Sequence, residues 1–214
     1  MSSGEFAGAA HRAPAVPIGN TYDKYGSTNP VVRRLMAGFD RALDELFSMA
    51  APDSVLDVGC GEGVLTARWA AQLGSRRVVG VDLDDPKLHG EWDQRRRENL
   101  EFQTFGGGDL PFAADSFDLV AATEVLEHVP DPSQTLGEMA RVAKRHLLVS
   151  VPREPLWRML NLGRGAYLRD LGNTPGHVNH WSRKAFVELL GSHGIVSEVR
   201  APLPWTMALV AVGG

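Results

Sequence analysis

The hydrophobic positions of this chain change period several times, and each change marks an element. Behind Asn29-Pro30, the residues Val31, Val32, Leu35, Met36, Phe39, Leu43, Leu46 and Phe47 recur at helical spacing. Asn29 stands where a cap belongs and Pro30 where a first helical residue belongs, so the pattern predicts an amphipathic helix over about residues 30–50. Pro52-Asp53 ends it. The short apolar run SVLDVGC predicts a strand, and GVLTARWAAQLG predicts a helix stopped by Gly74. RRVVGVDL reads as a second strand. Asp85-Pro86 opens a polar helix to about Asn99, LEFQTF is a third strand, and SFDLVAAT a fourth. Asp131-Pro132 opens a helix striped by Leu136, Met139, Ala140 and Ala143. HLLVSVP is a fifth strand, ended by Pro152.

Strands alternating with helices at this spacing predict a parallel sheet covered on both faces, the α/β class. After Pro152 the rhythm breaks. Residues 153–180 form an insertion rich in Arg, Trp and Gly, read as a lid or substrate segment. Ser182 then caps a helix carrying Phe186, Leu189 and Leu190. IVSEVRA and WTMALVAV predict a closing antiparallel pair at one sheet edge. Residues 1–18 are small, Ala/Gly/Pro-rich and without period, and read as a flexible arm. One domain over residues 19–214 remains.

Bulk composition narrows the function classes. A length of 214 residues suits one sizeable domain, and 43% hydrophobic with 22% charged residues is ordinary for a soluble one. The formal net charge of -4 weighs against a general nucleic-acid binder. The one cysteine, Cys60, allows no intrachain disulfide and fits a reducing compartment. No apolar run reaches the ~18–20 residues of a membrane span, and the N-terminus lacks a signal-peptide pattern. The expected location is cytoplasmic.

The first chemical motif is VLDVGCGEGVLT, Val55 to Thr66: a strand, a glycine turn and a helix. Gly59, Gly61 and Gly63 let the backbone turn sharply and approach a ligand at a helix N-terminus. A dinucleotide fingerprint would place glycine at position 64, where this chain has Val64, so a nicotinamide oxidoreductase is disfavoured. The second strand ends in Asp82, which lies beside the glycine turn at the carboxyl edge of such a sheet and suits two ribose hydroxyls. Asp84 reads as turn-forming.

In order along the chain, VLDVGCGEG, GVDLD, DLPFAADSFDLV and ATEVLEHV resemble the class I S-adenosylmethionine-dependent methyltransferases of the small-molecule (type 11) group, over roughly residues 53–152. The resemblance implies a Rossmann-like, doubly wound seven-stranded sheet in the order 3-2-1-4-5-7-6 with one antiparallel strand. It implies that Asp57 and the Gly59–Gly63 backbone border the methionine moiety, that Asp82 holds the ribose, and that Leu83 packs on the adenine. Many relatives carry an Asp four residues before Leu-Pro-Phe that meets the adenine amino group. Here that place is Gly106, so the contact falls to Asp109, beside Leu110, or to the backbone.

TEVLEHVPDP, Thr123 to Pro132, sets Glu124, Glu127 and His128 at offsets 0, +3 and +4, which one helical turn would bring to one face. Three readings stand. In the first, Glu124 meets the methionine amino group while Glu127 and His128 are structural. In the second, His128 is a general base, an imidazole titrating near neutrality. In the third, Glu124, Glu127 and His128 join a histidine of PGHVNHWS to hold a divalent ion. That set resembles the small-RNA 2′-O-methyltransferases and the ubiquinone-pathway O-methyltransferases. His177 is favoured over His180 as site-facing, and His128 with His177 is the expected catalytic pair, without a metal.

Two segments read as lids. Tyr22 to Pro30 carries Tyr22 and Tyr25. Pro152 to Gly176 carries Arg153, Arg158, Arg164 and Arg169 among Leu156, Trp157, Met159, Leu160, Leu162, Tyr167 and Leu168. A basic, aromatic lid suits an apolar or lipid-linked acceptor with a negative group. Trp69, Trp92 and Trp205 read as structural, and Cys60 not as a nucleophile. The expected activity is S-adenosylmethionine-dependent methylation of a small molecule, on oxygen before nitrogen or carbon, with S-adenosylhomocysteine as product. The competing readings are metal-assisted methylation of a catechol or an RNA-end ribose, and a non-catalytic cofactor-binding module.

Overall fold

The computed structural model describes residues 28–163, 171, 173–174 and 176–213. The expected arm over 1–18, with Tyr22, Tyr25, Arg164, Tyr167, Leu168 and Arg169, lies outside the described residues.

Asn29 accepts a hydrogen bond from Val31 N and caps α1, Pro30–Ala50, as the Asn-Pro pair dictates. The chain then runs β1 (Val55–Val58), α2 (Val64–Leu73), β2 (Val78–Asp82), α3 (Pro86–Gln94), β3 (Leu100–Thr104), β4 (Phe117–Thr123), α4 (Pro132–Val142) and β5 (Ala143–Pro152). It closes with α5 (Leu156–Gly163), α6 (Arg183–Gly191), β6 (Ile195–Arg200) and β7 (Trp205–Ala211). The seven strands form one sheet in the order β3-β2-β1-β4-β5-β7-β6. β7 runs antiparallel to both neighbours, and the other pairings are parallel.

Period-2 alternation within the buried strands sends successive side chains to opposite faces. Val55, Val78, Leu119, Ala121, Leu148 and Leu209 pack with Phe39, Leu43, Leu46 and Phe47 of α1 and Trp69 of α2. Leu56, Val79, Val120, Leu147, Val149 and Val210 pack on the other side, with Leu136 and Met139 of α4 and Phe186 and Leu190 of α6. The central strands carry near-continuous apolar runs because both their faces are covered.

Three element boundaries differ from the sequence reading. α3 ends at Gln94 rather than near Asn99. Only its Leu88 and Trp92 are buried, and by Arg97 the chain already turns into β3, with Leu100 N donating to Arg97 O at 3.2 Å. β5 starts at Ala143, directly from α4, because Ala143 serves both as the cap of α4 and as the strand partner of Phe117. The insertion contains a helix, α5, with Met159, Leu160 and Leu162 on its exposed face.

Candidate active site

β1 and β4 are the neighbours where the strand order reverses, which makes the crevice at their carboxyl ends a topological switch point. The glycine turn fills one side of it. Gly59 (φ 72) sits so close to the turn after β4 that an added Cβ would stand 2.5 Å from Val125 Cγ2. At Gly63 (φ 77) an added Cβ would stand 2.5 Å from Phe102 Cζ. Gly59 N and Cys60 N donate to Val81 O at 2.8 and 3.1 Å. Trp92 Nε1 donates to Gly61 O at 2.8 Å, and its ring stacks on Phe102. The turn is thus clamped by β2, α3 and β3. It delivers the chain to α2, whose N-cap Gly63 makes no side-chain capping bond.

Two carboxylates flank the turn. Asp57 is 1% exposed, and its Oδ2 accepts from Thr66 Oγ1 at 2.7 Å. Burial is the main cause that pushes its pKa up to about 7; Thr66 opposes and the charge of Asp82 adds. Asp82 Oδ2 accepts from Gly61 N at 2.6 Å and Oδ1 from Leu83 N at 2.7 Å. Burial raises its pKa, against those two backbone donors. Burial likewise pushes the Cys60 thiol well up, with the charges of Asp57 and Asp82 adding, which favours the protonated form.

Beyond β2, Leu83 reaches toward Gly107 across the next loop, with Cδ2 3.9 Å from where a Cβ would sit. Leu110 is buried at 5% exposure, whereas Asp109 is exposed. Leu110 N donates to Glu138 Oε2 at 3.1 Å. Arg141 donates to Leu110 O and Phe112 O at 3.1 and 2.9 Å and bonds Glu138 through two nitrogens. The Leu-Pro-Phe segment is therefore held by one Glu–Arg pair of α4.

The segment after β4 is one tight turn rather than a helix, and that separates its charged residues. Glu124 takes a left-handed φ of 60. Its carboxylate accepts from Trp205 Nε1 at 2.7 Å and from Ser150 Oγ at 3.4 Å. Glu127 is 1% exposed and His177 8%. The rings of His128 and His177 meet edge-on at 4.9 Å. Glu127, His128 and His177 each bring a ligand atom within 4.8 Å of the others, a group that does not include Glu124. Of the four residues in the alternative metal reading, Glu124, Glu127, His128 and His177, the last three come together and Glu124 stands apart. His180 is exposed, with Nε2 3.0 Å from Arg158 Nη2 and 2.7 Å from Asn173 Oδ1. His177 rather than His180 meets the ring of His128.

The described part of the insertion packs against His177. Arg153 N donates to Pro204 O and Glu154 N to Trp181 O, both at 2.9 Å, which fixes the base of α5. Trp157 lies between His177 and Trp205, with ring centroids at 6.1 and 5.9 Å. Its Nε1 donates to Thr174 Oγ1 at 2.9 Å. Sequence reading missed the roles of Trp92 and Trp205, which are buried yet donate into site loops. It also missed Glu138 and Arg141, whose i,i+3 spacing signals a pair but not its target. Among the described residues, no helix is long and apolar enough to cross a membrane.

This order of strands, with a glycine turn and an acid at the switch point, defines the class I methyltransferase fold. Residues 56–148 match a family model described as a methyltransferase domain, type 11. Residues 56–148 thus carry a methyltransferase domain of this type within the class I methyltransferase fold. It is similar to methyltransferase GfsG of Streptomyces halstedii, 39% identical over 48% of this chain and 38% of that one. It is also similar to a ubiquinone biosynthesis O-methyltransferase of Methylococcus capsulatus, 30% identical over 65% of each. The chain therefore spans less than two thirds of the length of these relatives. Magnesium protoporphyrin IX methyltransferase of Synechocystis, solved with S-adenosylhomocysteine, shares the fold with a TM-score of 0.64 at 20% identity, over 88% of this chain and 90% of that one.

Proposed function

We propose that the chain transfers the methyl group of S-adenosylmethionine to a hydroxyl oxygen of a small-molecule acceptor. One juxtaposition carries this reading. The carboxyl ends of β1, β2 and β4 bring the glycine turn, Asp82 and Glu124 to a single crevice, with His128 and His177 beyond it.

The residues present fit the cofactor. Asp82 uses one lone pair of each oxygen on backbone donors and keeps the others for two ribose hydroxyls. Leu83 and Leu110 pack on the adenine, and Asp109 or the backbone of the same loop reads its amino group. The N-terminus of α2 and the glycine turn receive the methionine carboxylate. Asp57 and Glu124 supply negative charge to the ammonium side, which offsets the burial that now raises Asp57.

Bound S-adenosylmethionine supplies an activated methyl group on a sulfonium. The chain aligns the acceptor and excludes water. The acceptor oxygen forms a bond to the methyl carbon, the carbon–sulfur bond breaks with its electron pair going to sulfur, and the hydroxyl proton leaves. His128 and His177 are the groups on which that hydroxyl docks and loses its proton. The relatives named as O-methyltransferases favour oxygen. The exposed apolar face of α5, whose Arg158 pairs with Glu154, favours an acceptor with an apolar body.

The test is transfer of an isotopically labelled methyl from S-adenosylmethionine to hydroxylated aromatic acids, read by mass spectrometry. His128→Ala and His177→Ala should lower kcat by about 10²–10⁴-fold while leaving S-adenosylhomocysteine affinity within about threefold. A chain that binds neither form of the cofactor would refute the reading.

A further inference from the structure

We propose that Trp92 is a positioning residue for the cofactor. Its indole N–H holds the carbonyl of Gly61 and, through that residue, the carboxylate of Asp82. What Asp82 then receives rests on the S-adenosylmethionine reading above.

The three glycines of the turn are held by different forces. Gly59 and Gly63 are fixed by crowding, since an added Cβ at either would stand 2.5 Å from a neighbouring side chain. Gly61 also takes a left-handed φ, 55, yet an added Cβ there would meet nothing within 4 Å. A glycine in open space has no steric reason to keep one conformation. Hydrogen bonds on both sides of it supply that reason. Gly61 N donates to Asp82 Oδ2 at 2.6 Å, and Gly61 O accepts from Trp92 Nε1 at 2.8 Å. The Cys60 thiol, a weak donor, reaches the same oxygen at 3.8 Å. The N–H and the C=O belong to the two peptide planes that flank the Gly61 Cα. Held together, they fix its φ and its ψ.

Trp92 is itself aimed by the sheet. It is 7% exposed, and its ring stacks on Phe102 with centroids 5.2 Å apart and planes 5° from parallel. Phe102 of β3 pairs with Gly80 of β2. An added Cβ at Gly80 would stand 2.8 Å from Phe102 Cδ1, so Phe102 occupies the space that a side chain at residue 80 would need. Trp92 Cδ1 in turn stands 3.5 Å from where a Cβ of Gly63 would be. The contacts run from Gly80 through Phe102, Trp92 and Gly61 to Asp82. They start in the middle of β2 and return to its last residue.

The same bond steadies the charge on Asp82. Burial raises the pKa of that carboxyl, and the N–H of Gly61 is the stronger of the two backbone donors that oppose the rise. A Gly61 free to swing withdraws that donor and leaves a carboxylate that is harder to keep charged. Trp92 therefore acts on cofactor binding and not on the transfer step.

The experiment is a double-mutant cycle read by calorimetric titration of S-adenosylhomocysteine into the full chain, with circular dichroism reporting the folding of each variant. Trp92→Phe keeps a ring on Phe102 and removes the donor. It should weaken binding about tenfold, the effect of one hydrogen bond. In an Asp82→Ala background the same substitution should change affinity less than about twofold, because the group it acts through is gone. Phe102→Leu keeps the indole but loses the stack that aims it, and should weaken binding about threefold. A folded Trp92→Phe chain with wild-type affinity would overturn the proposal. So would an equal loss with and without Asp82, which is what a merely structural tryptophan gives. If Trp92→Phe does not fold, Phe102→Leu decides in the same way. A wild type that binds no S-adenosylhomocysteine would refute the cofactor reading and the proposal with it, whereas the other two results, in a wild type that binds, refute the proposal alone.

Discussion

Trp205 donates its indole N–H to the carboxylate of Glu124 across 2.7 Å, joining the first residue of β7 to the first residue beyond β4. Two strands intervene in the chain between these residues and one, β5, in the sheet. Glu124 holds a left-handed φ of 60 that a non-glycine residue adopts only when its surroundings over-determine it. The bond therefore fixes the turn that leads to Glu127 and His128. Trp205→Phe keeps the ring packed on Phe39 but removes the donor. It should cost about 1–3 kcal/mol in chemical denaturation, and Glu124→Gln should recover part of that loss in the double variant. A Trp205→Phe chain as stable as the wild type would remove this role.

Asp57 gives a pH dependence with a definite sign. Its pKa rises from 3.8 unfolded to about 7 folded, so between these values the folded chain holds a proton that the unfolded chain has lost. This contribution to stability is fully present below pH ~4, falls as pH rises, and is lost above pH ~7, by about 4 kcal/mol if the whole shift applies. Asp57→Asn should flatten that slope. A cationic ligand placed beside Asp57 ionises it, so cofactor binding at pH 6 should release protons and at pH 8.5 should release far fewer. Calorimetry at pH 6 in buffers of different ionisation enthalpy reads this directly, and identical enthalpies would contradict it.

Gly59→Ala tests the contact across the switch point. The new Cβ meets Val125 Cγ2 at 2.5 Å and the φ of 72 is unfavourable for alanine. The two penalties together should cost about 2–5 kcal/mol. Val125→Ala in the same chain should recover the steric part alone, leaving about 1–3 kcal/mol of backbone strain. Full recovery would show that the conformation of Gly59 carries no cost.

Arg141→Gln removes the charged fork that holds Leu110 O and Phe112 O to α4. Amide exchange at Leu110 and Phe112 should rise about tenfold or more, for a loss near 1.4 kcal/mol, while β1 and β4 keep their protection. Unchanged exchange at Leu110 would show that the Glu–Arg pair does not hold the segment.

Much of this was legible in the sequence because local signals and the global fold agree. Asn29-Pro30, Asp85-Pro86 and Asp131-Pro132 each open a helix with the capping bond their side chains predict. The apolar runs of β1, β2 and β5 announce strands covered on both faces. Gly59 and Asp82 were placed together by the strand–turn–helix pattern alone. What the sequence left open depends on side chains meeting across long separations. Glu124 and Trp205 are far apart in the chain, and no periodicity pairs them. The separation of Glu124 from Glu127 and His128 follows from one left-handed residue in a turn that reads as helical. The trio with His177 exists because Val178 and Asn179 bond to Glu127 O, a backbone pairing that side-chain patterns do not encode.

Calorimetric titration of S-adenosylmethionine into the wild type and Asp82→Ala tests the central claim most directly. On the proposed reading Asp82 accepts two ribose hydrogen bonds to a charged group, about 1.5–3 kcal/mol each, and it also accepts from Gly61 N. The account predicts binding by the wild type and a loss of at least ~100-fold in a variant that remains folded. Undiminished affinity in Asp82→Ala would contradict it.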